Sequence, residues 1–95
     1  HDDFESVIID IPELENADDI VGKIETLARE QNILRVKGYA SVKGKPMRLL
    51  VQAVSARVRT QFDQPWGDQP RQGQMVVIAE HHDINVDAIK AVLCS

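Results

Sequence analysis

One cysteine in 95 residues, Cys94, rules out an internal disulfide and a cysteine-based metal knuckle. It fits a reducing, cytoplasmic compartment. Aromatic residues are nearly absent, being limited to Phe4, Tyr39, Phe62 and Trp66, so the core has to be aliphatic. No apolar run approaches the ~18 residues a membrane span requires, and no signal peptide is visible. Positive charge is in deficit as well. The formal net charge of -4 argues against nucleic acid or an anionic membrane as the partner. Nor does the chain begin with methionine; residues 1–5, opening on His1-Asp2-Asp3, read either as a tag remnant or as the end of a linker from a longer upstream segment. What remains, 43% hydrophobic and 27% charged, is an ordinary composition for a single globular domain over residues 1–95.

The organising stretch is Ile33 to Ala56. In Ile33–Val42, the residues Leu34, Val36, Gly38, Ala40 and Val42 alternate with Ile33, Arg35, Lys37, Tyr39 and Ser41, the period of a half-buried strand. Gly38 stands in a strand interior, where glycine marks a bulge or a close approach of another backbone. Gly44 and Pro46 place a reversal between Val42 and Met47. The following run, Arg48–Val54, is apolar on both sides and reads as a central strand. Gln52 interrupts one side and is expected to be a hydrogen-bonded core amide.

Ahead of this pair, Ser6–Ile11 alternates as a first strand and stops at Pro12. Asn16 is placed as the N-cap of a helix with an apolar stripe at Ala17, Ile20, Val21, Ile24, Leu27 and Ala28. Gly22 within it suggests close packing on the sheet, and Asn32 closes it in the left-handed conformation. After the pair, Val58, Thr60 and Phe62 alternate with Arg57, Arg59 and Gln61 in an edge strand with basic outward positions. Two prolines and two glycines make Asp63–Gly73 a loop, with Trp66 as its anchor. Gln74–Glu80 reads as an interior strand, and Asn85 caps a terminal helix with Ile84 and Ile89 as a hydrophobic staple. The order is β-α-β-β-β-β-α. An α+β fold follows, with a mostly antiparallel sheet of four or five strands and two helices on one face.

Catalytic chemistry finds little footing. Gly22-Lys23 and Gly44-Lys45 lack the first glycine and the hydroxyl of a phosphate loop, and no serine, histidine and acid fall together. His81-His82-Asp83 is the most metal-like sequence, needing a third ligand from His1, Asp87 or Cys94, but adjacent histidines seldom chelate one ion. Arg35, Lys37, Lys43, Lys45, Arg48, Arg57 and Arg59 outline either a basic surface for an acidic partner or an ordinary solvated face.

The segments ILRVKGY, GKPMRLLVQAV, QPW and VVIAEHHDI before a final helix resemble the C-terminal domain of CobW-type proteins, P-loop GTPases that act as metallochaperones. The most specific pieces are Leu34-Arg35-Val36-Lys37-Gly38 and Leu50-Val51-Gln52-Ala53-Val54. The resemblance implies a non-catalytic accessory domain of a GTPase in cobalamin biosynthesis, delivering cobalt to a corrin-ring chelatase or another metalloprotein acceptor. Zinc-handling and nitrile-hydratase-activating relatives carry the same module. GTP with magnesium, and the cobalt or zinc, would belong to an N-terminal GTPase domain, so no cofactor is expected on this stretch. That GTPase domain is the first implied partner. Arg35, Lys37, Gly38, Gln52 and Trp66 are the candidate contact residues; the rival reading makes His81, His82, Asp83 and His1 a metal site.

Overall fold

The computed structural model describes residues 4–80 and 84–95. Five strands and two helices follow one another as β1 (Phe4–Ile11), α1 (Asp19–Glu30), β2 (Ile33–Ala40), β3 (Met47–Val54), β4 (Arg57–Pro65), β5 (Gly73–Glu80) and α2 (Val86–Leu93). The strands form one sheet in the order β1-β5-β2-β3-β4, with every neighbouring pair antiparallel. The α+β expectation holds, with β5 interior and β4 at an edge.

Period-two patterning decides which side is buried. Ile9 and Ile11 of β1, Val36 and Ala40 of β2, Leu49, Val51 and Ala53 of β3, and Met75, Val77 and Ala79 of β5 all face one way. On that face they meet Ile20, Ile24 and Leu27 of α1 and Ile89 and Leu93 of α2, forming one continuous aliphatic core. Both helices therefore lie on the same side, and among the described residues no helix covers the opposite face of the sheet.

Local chemistry sets the corners. Asn85 accepts a hydrogen bond from the Ala88 amide at 3.1 Å through its side-chain oxygen, the cap expected of it. Asn32 has φ 53°, closing α1 as expected. The start of α1 differs from expectation. Asp18 is the N-cap residue without a side-chain bond, and the Asp19 carboxylate instead accepts from the Asn16 amide at 3.1 Å. Gly22 is exposed with no neighbour within 4 Å of where a Cβ would sit, so it is not a packing contact.

Two register shifts break the alternation. Ile33 pairs with Ala79 but Arg35 with Ile78, so Leu34 is an extra residue and Ile33 turns into the core, not outward with Arg35. In β4, Arg48 pairs with Gln64 but Leu49 with Phe62, leaving Asp63 as the extra residue. That strand runs on to Pro65, so the loop comprises only residues 66–72.

β3 also departs from expectation. Its second side, Leu50, Gln52 and Val54, lies on the helix-free face; Gln52 is exposed, not a buried amide. A central strand covered on both faces and one covered on a single face with apolar outer positions look alike in sequence.

Candidate functional site

The register fixes how side chains are laid out on the helix-free face. One row across the sheet runs Ser6, Ile78, Arg35, Val54, Arg57; the next runs Ile8, Val76, Lys37, Gln52, Arg59; a third runs Asp10, Gln74, Tyr39, Leu50, Gln61. The face divides accordingly. Toward β1 and β5 it carries a group of apolar side chains, with Phe4 57% and Ile8 62% exposed and Val76 and Ile78 half-buried beside them, bordered by Ser6, Asp10, Gln74 and Glu80. Toward β4 it is basic. Arg35, Lys37, Arg57 and Arg59 flank a shallow groove of about 330 Å³ whose floor holds Gln52 and Val54. All four cations are exposed, and among the described residues none has an ion pair or hydrogen bond.

The third row passes beside the 66–72 loop at Gln74 and Tyr39. Trp66 is buried (4% exposed), set edge-on to Tyr39 with ring centroids 5.9 Å apart and planes at 69°. Its amide donates to the Pro46 carbonyl at 3.1 Å, tying the loop to the β2–β3 corner. Arg71 reaches back from the same loop, donating to the Ser41 hydroxyl at 3.1 Å and the Val42 carbonyl at 3.0 Å, with its guanidinium 5.9 Å from the Trp66 ring centre. Ser41 in turn donates to Glu13 at 2.7 Å. That bond, with Arg71 and Lys43 nearby, holds the Glu13 carboxyl below its ordinary value.

Arg48 lies 4.6 Å from the centre of the Tyr39 ring and makes two bonds to Asp63, at 3.1 and 2.7 Å. The extra residue in β4 is what aims Asp63 at Arg48. The guanidinium bonds hold the Asp63 carboxyl below the usual aspartate range, and the carboxylate raises Arg48. Because the folded value is the lower one, the pair's contribution is complete above pH about 4 and is lost as pH falls through the depressed value. Melting curves of the native chain and Asp63→Asn are expected to differ above about pH 4 and to converge in acid. An unchanged difference at every pH would contradict this assignment.

Of the candidate contact residues, Arg35, Lys37 and Gln52 come together in one groove. Gly38 and Trp66 do not join them. Gly38 lies on the core side, where the close approach is made by the β5 backbone of the same sheet and not by another molecule. Trp66 is a sealed loop anchor and presents no surface to a partner. Lys43 and Lys45 project from the β2–β3 corner, and Arg48 is committed to Asp63. His1 and His81-His82-Asp83 lie outside the described residues, among which no three histidine, cysteine or acidic side chains are placed to share a metal ion. The apolar half of the face was missed. Its one signal was Ile8, opposite Val7, Ile9 and Ile11 in an alternating strand.

Among the described residues, no helix is long and apolar enough to cross a membrane. Residues 4–95 match the family described as the cobalamin synthesis protein cobW C-terminal domain. The chain is 34% identical over 93 residues to a zinc chaperone CobW of Sinorhizobium, covering 98% of this chain and 26% of that protein. It is 43% identical over 76 residues to a zinc chaperone CobW of Pseudomonas aeruginosa, covering 79% of this chain and 20% of the relative. The crystal structure of the Zn(II)-bound YjiA GTPase from Escherichia coli superimposes with a TM-score of 0.77 at 28% identity, over 95% of this chain and 28% of that one. The chain thus spans about a quarter of the length of these relatives. Sequence and architecture agree that it belongs to the family of cobW C-terminal domains, the kind found in zinc chaperones and related GTPases.

Proposed function

We propose that this chain is the non-catalytic accessory domain of a GTP-dependent metallochaperone and packs on its GTPase domain through the helix-free face. The observation that carries the reading is the apolar half of that face, where Phe4, Ile8, Val76 and Ile78 lie together on β1 and β5 with no helix over them among the described residues. Exposed apolar positions grouped in one patch mark an interaction site, whereas scattered ones do not. The relatives are three to five times longer than the stretch matched here, which leaves room for the GTPase part.

The catalytic work and the metal belong, in this reading, to the GTPase domain, with GTP and magnesium. Zinc is favoured over cobalt as cargo because the curated relatives are described as zinc chaperones. Cobalt delivery to a chelatase in cobalamin biosynthesis is the second version of the same role. The metal acceptor would be the other partner, and a cytoplasmic setting goes with both. Hydroxyl-radical footprinting of the full-length protein tests the packing. Phe4 and Ile8 are expected to be protected, while Val86, 40% exposed on α2, stays reactive.

A further inference from the structure

The basic half of the face differs from the apolar half in kind. Arg35 and Lys37 form one rail on β2, and Arg57 and Arg59 form the other on β4, with Val54 and Gln52 of β3 between them. Along each rail, residues two apart on a strand repeat at about 7 Å, and the rails stand two strand spacings apart, about 10 Å. The chain carries a net charge of -4, so four unpaired cations gathered on one patch leave the rest of the surface more acidic still. That distribution is built for an anion, and the geometry selects which.

We infer that this groove binds an extended acidic segment of a partner protein, a run of consecutive aspartate or glutamate residues lying along β3. In an extended chain, alternate side chains leave on opposite sides and those on one side repeat at about 7 Å. Successive carboxylates therefore fall in turn on the β2 rail and the β4 rail. Gln52 offers an amide to the segment's backbone, and Val54, 61% exposed, contacts its aliphatic carbons. An acidic helix fits less well, since at about 10–12 Å with side chains it is as wide as the spacing of the rails and does not present carboxylates in two rows along them. Single-stranded nucleic acid is disfavoured because no aromatic ring lines the groove for bases to stack on. Runs of like charge are commonly unstructured interaction tails, already extended before they bind.

This inference rests on the accessory-domain reading and adds the partner's chemistry to it. The test uses the full-length protein and a fluorescent peptide, Ser-Gly-Glu-Glu-Glu-Glu-Gly-Ser, followed by anisotropy. Saturable binding is expected, weakened about tenfold or more by Arg57→Glu with Arg59→Glu, and separately reduced by Arg35→Gln with Lys37→Gln. All four residues are exposed, so circular dichroism is expected to be unchanged in both variants. Reversing Arg29 and Lys90, exposed cations on the helices, is expected to leave binding intact. The inference is overturned by absence of binding, by equal loss in the helix variant, or by equal binding of the same peptide with its four glutamates replaced by glutamine. Tripolyphosphate or an oligonucleotide competing as well as the peptide overturns it too. Footprinting Phe4 and Ile8 in the same sample separates the two ideas. Protection there without peptide binding leaves the packing reading standing and removes this one.

Discussion

Gly38→Ala is expected to lower the melting temperature by at least about 12 °C, and Gly38→Val to abolish the folded state. A Cβ at Gly38 would overlap the Gln74 carbonyl oxygen and stand 2.8 Å from the Met75 Cα and 3.0 Å from the Gln74 carbonyl carbon. All three atoms are backbone of β5, and Gly38 pairs directly with Met75. Overpacking against movable side chains costs about 1–3 kcal/mol. Here nothing can rotate away. β5 is held by β1 on its far side and β2 by β3, so making room means parting the middle of the sheet. A loss of about 3 kcal/mol or more is a large share of the roughly 5–15 kcal/mol that stabilises such a domain, and it gives the expected shift in melting temperature. Gly22 is the control within the same chain. Exposed on α1 with open space around it, it should accept alanine with a gain of about 0.5–1 kcal/mol. A Gly38→Ala chain melting within about 4 °C of the native one would show that β5 can withdraw without cost.

Trp66→Ala is expected to cost about 3–5 kcal/mol in chemical denaturation, the range for truncating a buried large aromatic. The ring is the floor of the 66–72 loop, and without it Tyr39 loses its edge contact and Arg71 the ring it lies over. The indole also carries a liability. Its Nε1 is buried with no hydrogen-bond partner among the described residues, an arrangement that costs about 1–3 kcal/mol. Burial of the rest of the ring must outweigh that cost. Trp66→Phe removes the orphan donor while keeping most of the contact, so its loss is expected to be less than half that of alanine. Equal losses for phenylalanine and alanine would mean that the indole nitrogen has a partner of its own.

The two residues also show what the sequence made legible. A lone tryptophan between prolines and glycines had to be buried somewhere, and Trp66 is. A glycine inside Ile33–Val42 announced a close approach, but periodicity carries no information on what approaches; the neighbour is β5 of the same sheet. Capping chemistry is local, so Asn85 and Asn32 were readable in place, whereas the Asp19-to-Asn16 bond reverses the roles that a plain N-cap pattern assigns. The extra residues at Leu34 and Asp63 left no trace, because the register of a strand is set by its partner. The turn at Ser55, with φ 53°, carries no glycine, proline or asparagine to signal it. The candidate site was half visible. Its arginines and lysine could be placed on β2 and β4 by alternation, but the apolar strip beside them depends on strand order, since β1 and β5 are neighbours only in space.

The most direct measurement of the central claim is residue-resolved hydroxyl-radical footprinting of the full-length protein beside this chain alone. Packing through the helix-free face predicts that Phe4 and Ile8, 57% and 62% exposed here, lose most of their reactivity in the full-length protein while Val86 keeps its own. Reactivity at Phe4 and Ile8 that is the same in the two samples, with or without bound nucleotide, would contradict packing through the helix-free face.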